Sequence, residues 1–240
     1  MALLSVRDLV KMYRGRRVVD AVRLQVESGE VIGLLGPNGA GKTTTFYMTI
    51  GMVKPDSGRV FLDAADITDL PMYQRARSGL GYLPQEASVF RKLSVMQNVL
   101  AILETMPMAR PAREKKAHKL LDELGIRHLS RQKASELSGG ERRRLEITRC
   151  LATDPAFILL DEPFAGVDPL AVIDIKKIVR HLQERDIGIL ISDHNVRETL
   201  EVCNKAYILS DGRVIESGPP QKIAASDIAR RIYLGDEFRL

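Results

Sequence analysis

Along the chain the apolar positions switch between two periods. Leu3 to Leu9 and Val18 to Val26 alternate apolar and polar residues around the basic turn Arg14-Gly15-Arg16-Arg17, which predicts an antiparallel lead-in of half-buried strands. Val31-Ile32-Gly33-Leu34-Leu35, Phe157-Ile158-Leu159-Leu160 and Ile187 to Ser192 are unbroken apolar runs, as expected of strands buried on both faces. Shorter strands are predicted at Arg59 to Leu62 and at Leu80 to Gln85, the latter stopped by Pro84. Helices are expected from Thr43 to Met52, from Ser138 to about Thr153, and after Asp168-Pro169, where Ile175, Ile178, Val179 and Leu182 share one face. From Ser94 to about Ala134 the pattern is helical and basic, with Arg113, Lys115, Lys116 and Lys119. Lys205 to Leu209 and Arg213 to Glu216 flank Ser210-Asp211-Gly212 as a hairpin, and an amphipathic tail follows.

The strand at 31–35 runs into Gly36-Pro37-Asn38-Gly39-Ala40-Gly41-Lys42-Thr43, which fits G-x-x-x-x-G-K-[ST]. Glycines let such a loop curl so that successive N–H groups point at a polyphosphate on the N-terminus of the next helix. Lys42 then reaches the β- and γ-phosphates, Thr43 offers its hydroxyl to Mg²⁺, and Thr44 adds a contact further back along the nucleotide. A bare glycine turn does not account for strand, helix, Lys and Thr together.

Other candidates fall just past the predicted strands, where ligands of open α/β sheets bind. Gln85 is a candidate for Mg²⁺ and water contact. Asp161 and Glu162 end a buried run as adjacent carboxylates, so Asp161 is expected to hold Mg²⁺, directly or through water, while Glu162 polarises a water for attack on the γ-phosphate. His194 emerges on the same rim; by position alone a surface histidine is as good a reading. Ser138 caps a helix whose first residues Gly139 and Gly140 leave free N–H groups at its positive end, a second anion site that one chain with one phosphate loop does not need. Tyr13 precedes the basic turn, where its ring can stack on an adenine or simply pack.

Composition narrows the classes. The 240 residues, 45% hydrophobic, suffice for one large α/β domain with an insertion. No apolar run approaches the roughly 20 residues of a membrane span. The start, Met1 to Asp8, lacks a leader's basic head and apolar stretch, so a cytoplasmic location is expected. Cys150 and Cys203 have no metal-ligand spacing and read as reduced core residues. The net charge of +5 is well mixed, and the basic segment lacks aromatics for base stacking, so it reads as a solvated face with no nucleic acid as partner.

Taken in order, Gly36 to Thr43, Gln85, Leu137 to Glu141, Phe157 to Glu162, Ala165 to Asp168 and His194 resemble an ATP-binding-cassette ATPase over nearly the whole chain. The resemblance implies a P-loop NTPase fold with a RecA-like core at 1–93 and 136–218, an inserted α-helical subdomain at about 94–135 and a C-terminal tail at 219–240. It implies ATP and Mg²⁺ as ligands and a head-to-tail homodimer, in which Ser138-Gly139-Gly140 of one protomer closes over the γ-phosphate held by Lys42 of the other. Tyr13 resembles the adenine-stacking residue, Glu162 the catalytic base, Asp168 the cross-dimer aspartate and His194 the γ-phosphate switch. Gly81 to Phe90, Asp161 to Pro169, Ser192 to Thr199 and the ending Tyr233 to Leu240 are similar to the lipopolysaccharide-export branch, as is Glu141 where the wider family commonly has glutamine. That branch implies two integral membrane permease subunits, an accessory membrane-anchored protein, lipopolysaccharide as a cargo not bound directly, and a place on the cytoplasmic face of an inner membrane. Phe90 and Arg91, just past Gln85, then lie in a groove facing the membrane subunits. Branched-chain amino-acid importers are the main competing reading. A soluble mechanical ATPase for DNA repair or translation usually carries a second cassette or a long coiled coil, and a phosphate-loop kinase or GTPase does not explain the Ser138 turn.

Overall fold

A computed structural model describes residues 2–235 and 238. From the amino end come β1 (Leu3–Tyr13), β2 (Arg16–Glu27), β3 (Val31–Leu35), α1 (Lys42–Ile50), β4 (Ser57–Leu62) and β5 (Ala65–Asp66). Then follow α2 (Met72–Arg77), β6 (Leu80–Leu83), α3 (Val95–Leu103), α4 (Arg110–Glu123), α5 (Gly139–Leu151) and β7 (Phe157–Asp161). The remainder holds α6 (Pro169–Glu184), β8 (Gly188–Ser192), α7 (Val196–Val202), β9 (Lys205–Ser210), β10 (Arg213–Gly218) and α8 (Pro220–Ala225).

The strands form two sheets, one ordered β2-β1-β4-β5 and the other β10-β9-β3-β8-β7-β6. The first is antiparallel throughout. In the second, β9, β3, β8, β7 and β6 are parallel neighbours and β10 returns antiparallel to β9. Side chains alternate across this second sheet, so each strand feeds two cores. Ile32, Leu34, Leu159 and Leu190 meet Phe46 and Met48 of α1 and the inner face of the antiparallel sheet. Leu35, Ile158, Leu160 and Ile191 meet the helices on the other side, among them Val99, Leu121, Leu145 and Ile178. Burial on both faces is why these strands read as unbroken apolar runs.

The structure refines several expected bounds. The lead-in hairpin extends from Tyr13 to Arg16 around Arg14-Gly15, both with positive φ (49° and 81°). Gly51, at φ +86°, stops α1 before Met52 by donating its N–H to the Tyr47 carbonyl. The strand expected to reach Gln85 ends at Leu83, opposite Leu160, because Pro84 has no N–H to continue the ladder. The sequence reading missed β5, α2 and α7, all too short to show a period. One of them, α2, supplies Arg75, only 1% exposed. Its guanidinium donates to the carbonyls of Met48 and Thr49 in the last turn of α1 (2.8 and 2.7 Å) and to those of Thr68 and Leu70 (2.6 and 2.9 Å). Burial with carbonyls as its direct partners pulls its pKa down to about 10. Among the described residues, no helix is long and apolar enough to cross a membrane. The resemblance drawn from Asp236, Glu237, Arg239 and Leu240 lies outside the described residues.

Candidate active site

Gly36 and Gly41 are glycines for a steric reason. At φ +147° and +99°, a Cβ would fall 2.1 Å from the Leu209 carbonyl oxygen and 2.4 Å from that of Val18. The loop is thus wedged between β9 and β2, and Gly212 fastens it by donating its N–H to the Ala40 carbonyl (3.0 Å). Pro37 is half-buried, Asn38 and Gly39 are exposed and Ala40 is buried. Gly41 caps α1 without any side-chain hydrogen bond, so the amides of the first turn are claimed by no side chain of the cap. Lys42 is 8% exposed and turns its ammonium onto the carbonyls of Gly36 (2.6 Å) and Pro37 (3.0 Å). Burial pulls its pKa below the ordinary lysine value, and Glu162 and Asp193 pull it back up. Thr43 is exposed and Thr44 half-buried in the first turn.

Strand order does the rest. β3, β8, β7 and β6 are consecutive and parallel, so the phosphate loop, Asp193-His194, Asp161-Glu162 and Gln85 follow neighbouring carboxyl ends of one sheet. Asp161 pairs with Ser192, and Glu162, at φ +44°, donates its N–H to the Ser192 carbonyl (2.7 Å). That positive φ turns Glu162 out of the strand while Asp161 stays inside it. Asp161 accepts from the Tyr82 hydroxyl at 3.3 Å. Burial pushes its pKa up; the tyrosine bond opposes this, and the Glu162 charge adds to it. His194 is half-exposed, with Nδ1 3.4 Å from Glu162 Oε2 and 3.6 Å from Asp193 Oδ1. Gln85 is exposed beside this rim. Among these groups, the buried Asp161 and the half-buried Glu162 stand beside one another near a desolvated ammonium, and Thr43 and Gln85 add neutral oxygens. That donor set fits a divalent cation shared with a phosphate chain, since the cation offsets the mutual repulsion of the acids.

Ser138 lines a cleft beside this rim. Its Oγ accepts from the Glu141 N–H (3.4 Å), and its own N–H and hydroxyl donate to Glu141 Oε2 (2.8 and 2.7 Å), which holds that carboxyl below its usual pKa. Gly139 and Gly140 follow as the first residues of α5, where N–H groups have no intrahelical acceptor. Gln85, Ser138, Gly139, Gly140, Glu162 and Asp168 share the wall of a cleft of about 540 Å³, which includes no residue of 36–44. Asp168 is already engaged as the N-cap of α6, its Oδ1 accepting from the N–H groups of Leu170 and Ala171 (both 3.0 Å). Tyr13 lies at the exposed end of β1, 47% exposed, with the Lys11 ammonium 5.6 Å from its ring centre.

The site has supports that sequence reasoning missed. Asp193 is fully buried; it accepts from the N–H of Phe164 (2.8 Å) and from the N–H and amide of Asn195 (2.8 and 3.0 Å), tying the Glu162 turn to the His194 turn. An acid directly after a buried strand was the available signal. From α5, Arg143 donates to the Pro84 carbonyl (3.1 Å), Glu146 accepts from the Ser88 N–H (2.8 Å), and the Arg149 guanidinium lies 4.5 Å from the Phe90 ring centre. Asn98 clamps the Phe90 backbone from below, accepting at 2.8 Å and donating at 3.0 Å. The helix that begins at Ser138 therefore grips the loop that begins at Gln85. Cys150 and Cys203 take no part; burial pushes both thiols up to about 12.

The sequence pattern of the family described as "ABC transporter" matches residues 19–165. The chain is 57% identical to the lipopolysaccharide export system ATP-binding protein LptB of Acidithiobacillus ferridurans, covering 99% of each. It is 56% identical to the LptB of Escherichia coli (strain K12), covering 100% of each. Among solved structures, the ADP conformation of an ATP-binding cassette of an ABC transporter superposes with a TM-score of 0.88 at 30% identity, covering 98% of this chain and 100% of that one. By family pattern, full-length relatives and fold alike, the chain belongs to the ABC transporter family.

Proposed function

We propose that this chain is the ATP-binding and ATP-hydrolysing subunit of a lipopolysaccharide exporter, working as a head-to-tail homodimer. The observation that carries the dimer is a second helix N-terminus, at Ser138, whose cleft does not take in the phosphate loop. The cleft bearing Ser138 and Gly139 includes no residue of the phosphate loop, although Glu162 borders both. A second copy turned about a two-fold axis supplies what each half lacks.

In this reading the amides of residues 39–43 and the Lys42 ammonium hold the β- and γ-phosphates, exchanging two loop carbonyls for phosphate oxygens. Thr43, Asp161 and Gln85 would hold Mg²⁺, which neutralises phosphate charge as it develops. Glu162 takes a proton from the attacking water as its oxygen bonds to the γ-phosphorus and the bond to ADP breaks. His194 contacts the γ-phosphate, and Asp193 keeps its turn in register with that of Glu162. Tyr13 stacks on the adenine, and Asp168 and Ser138-Gly139-Gly140 close the site across the dimer. Closure reaches Gln85 and Phe90 through Arg143, Glu146 and Arg149.

The similarity to the LptB proteins supports the cargo and setting: two permease subunits resembling LptF and LptG, an accessory protein resembling LptC, and a peripheral position on the cytoplasmic face of the inner membrane. The dimer is tested by pairing a Ser138→Arg protomer with a Lys42→Ala protomer. One composite site then keeps both native halves. The purified heterodimer is expected to hydrolyse ATP at roughly half the native rate, and either homodimer far more slowly. Hydrolysis no faster than in the homodimers, or full activity in a monomer, would overturn the arrangement. Mass identification of subunits and lipid in the native complex tests the cargo.

A further inference from the structure

Two stretches far apart in sequence run antiparallel beside the helical segment. Ser135 donates its N–H to the Arg91 carbonyl (3.1 Å), Ala134 to Leu93 (2.9 Å), Val95 to Gln132 (2.9 Å) and Met96 to Ser130 (2.9 Å). Ser94 and Lys133 face each other across this pairing. Lys92 and Ser94 of the first stretch and Arg131 and Lys133 of the second lie at or beside this pairing. There they line a cavity of about 600 Å³, joined by Ser130 and by His118 of α4. Among the described residues, the buried Nδ1 of His118 has no hydrogen-bond partner.

The lining contains no carboxylate among the described residues. Acids on α4 are paired with other cations: Glu114 with Arg110, Glu123 with His181 and Arg185, and Asp122, which lines an adjoining cavity that shares Ser130 and Arg131, with Arg127. Lys116, by contrast, is neutralised by Asp154 on the far side of the same helix segment. Cations gathered on one acid-free concave wall, their backbones fixed by mutual hydrogen bonds, focus a positive potential that a solvated face with mixed charge does not. Arg131 offers a planar fork, Lys92 and Lys133 point charges, and Ser94 and Ser130 hydroxyl donors, which is the equipment for a tetrahedral oxyanion.

We infer that this cavity is a second anion site, separate from the phosphate loop, that takes a phosphate-type oxyanion. The group is carried either by a free phosphate compound or by a phospholipid headgroup. Lys92 directly follows Phe90-Arg91, so under the proposed function the cavity adjoins the face turned to the membrane, which favours the headgroup. Only that choice of source rests on the proposed function; the anion site stands on the cavity itself.

The test uses the full chain with its nucleotide site filled by a non-hydrolysable ATP analogue and Mg²⁺, so that the phosphate loop cannot respond. Inorganic pyrophosphate is titrated by calorimetry, and flotation is measured with phosphatidylcholine vesicles with and without phosphatidic acid. Arg131→Gln/Lys133→Gln is expected to lose at least about tenfold in affinity for one of these probes. The charge-matched control Lys115→Gln/Lys119→Gln on α4 should keep it, and ATP hydrolysis should be unchanged in both. Loss of pyrophosphate binding identifies a free phosphate, and loss confined to phosphatidic acid vesicles identifies a headgroup. Lys92→Gln provides a second variant if the double one fails to fold. Absence of binding in the native chain, or equal weakening by the control, overturns the site. Failure to copurify with membrane subunits would remove the proposed setting and leave a pyrophosphate result standing.

Discussion

Replacing Glu162 by glutamine exchanges one carboxylate oxygen for an amide and leaves the backbone device intact. The residue owes its place to φ +44° and to the bond from its N–H to the Ser192 carbonyl (2.7 Å), neither of which involves the side chain. What disappears is a proton acceptor and a negative charge that acts on Lys42 and lies 3.4 Å from His194 Nδ1. A positioned general base contributes about 10²–10⁴ in rate, so at 1.36 kcal/mol per decade the barrier should rise by about 2.7–5.5 kcal/mol. The charge term acts in the opposite sense on binding. At an effective dielectric constant of about 20, a carboxylate within several ångströms of a phosphate charge opposes it by a few kcal/mol at most, less after solvent screening. ATP should therefore bind as well as before or better, and the closed dimer should accumulate. Single-turnover hydrolysis, nucleotide binding and sedimentation with ATP measure the three effects on one preparation. Turnover within tenfold of native would remove Glu162 from the catalytic role, and weakened ATP binding would show that the charge balance with Lys42 has the wrong sign.

Gly36→Ala places a methyl 2.1 Å from the Leu209 carbonyl oxygen, a backbone atom that cannot rotate away; a loss of about 1–3 kcal/mol and weaker ATP binding are expected, and unchanged melting and affinity would contradict the wedged loop. Arg75→Met leaves two buried and two part-buried carbonyls without this donor and should cost about 3–5 kcal/mol, or roughly 6–20 °C in Tm, with Arg75→Lys in between. A shift under about 3 °C by calorimetry would show that water takes over these bonds. Phe90→Ala removes an exposed ring while Asn98 still clamps its backbone, so the isolated chain should keep its ATPase rate. Assembly with the membrane subunits should weaken at least about tenfold, as for an interface anchor worth about 2 kcal/mol, and undiminished copurification would refute the contact.

Parts whose physics is local can be read from the residues alone. Glycine and lysine spacing in the loop, buried strands as apolar runs, and adjacent acids just past a strand end each follow from a few consecutive residues, and Gly36 to Thr43, Asp161 and Glu162 stand out as candidates for that reason, whereas His194 rises above a surface histidine only through the family resemblance. Which strand ends lie side by side comes from the fold. The order β3-β8-β7-β6 is not the chain order, and only that order brings Lys42, His194, Glu162 and Gln85 to one rim. The structure also revealed what needs partners distant in sequence. The burial of Arg75 among the carbonyls of α1, and the meeting of Lys92, Arg131 and Lys133 at one cavity, both depend on such partners. A side chain's solvent and its hydrogen-bond partners come from chain segments tens of residues away, and no window of sequence contains them.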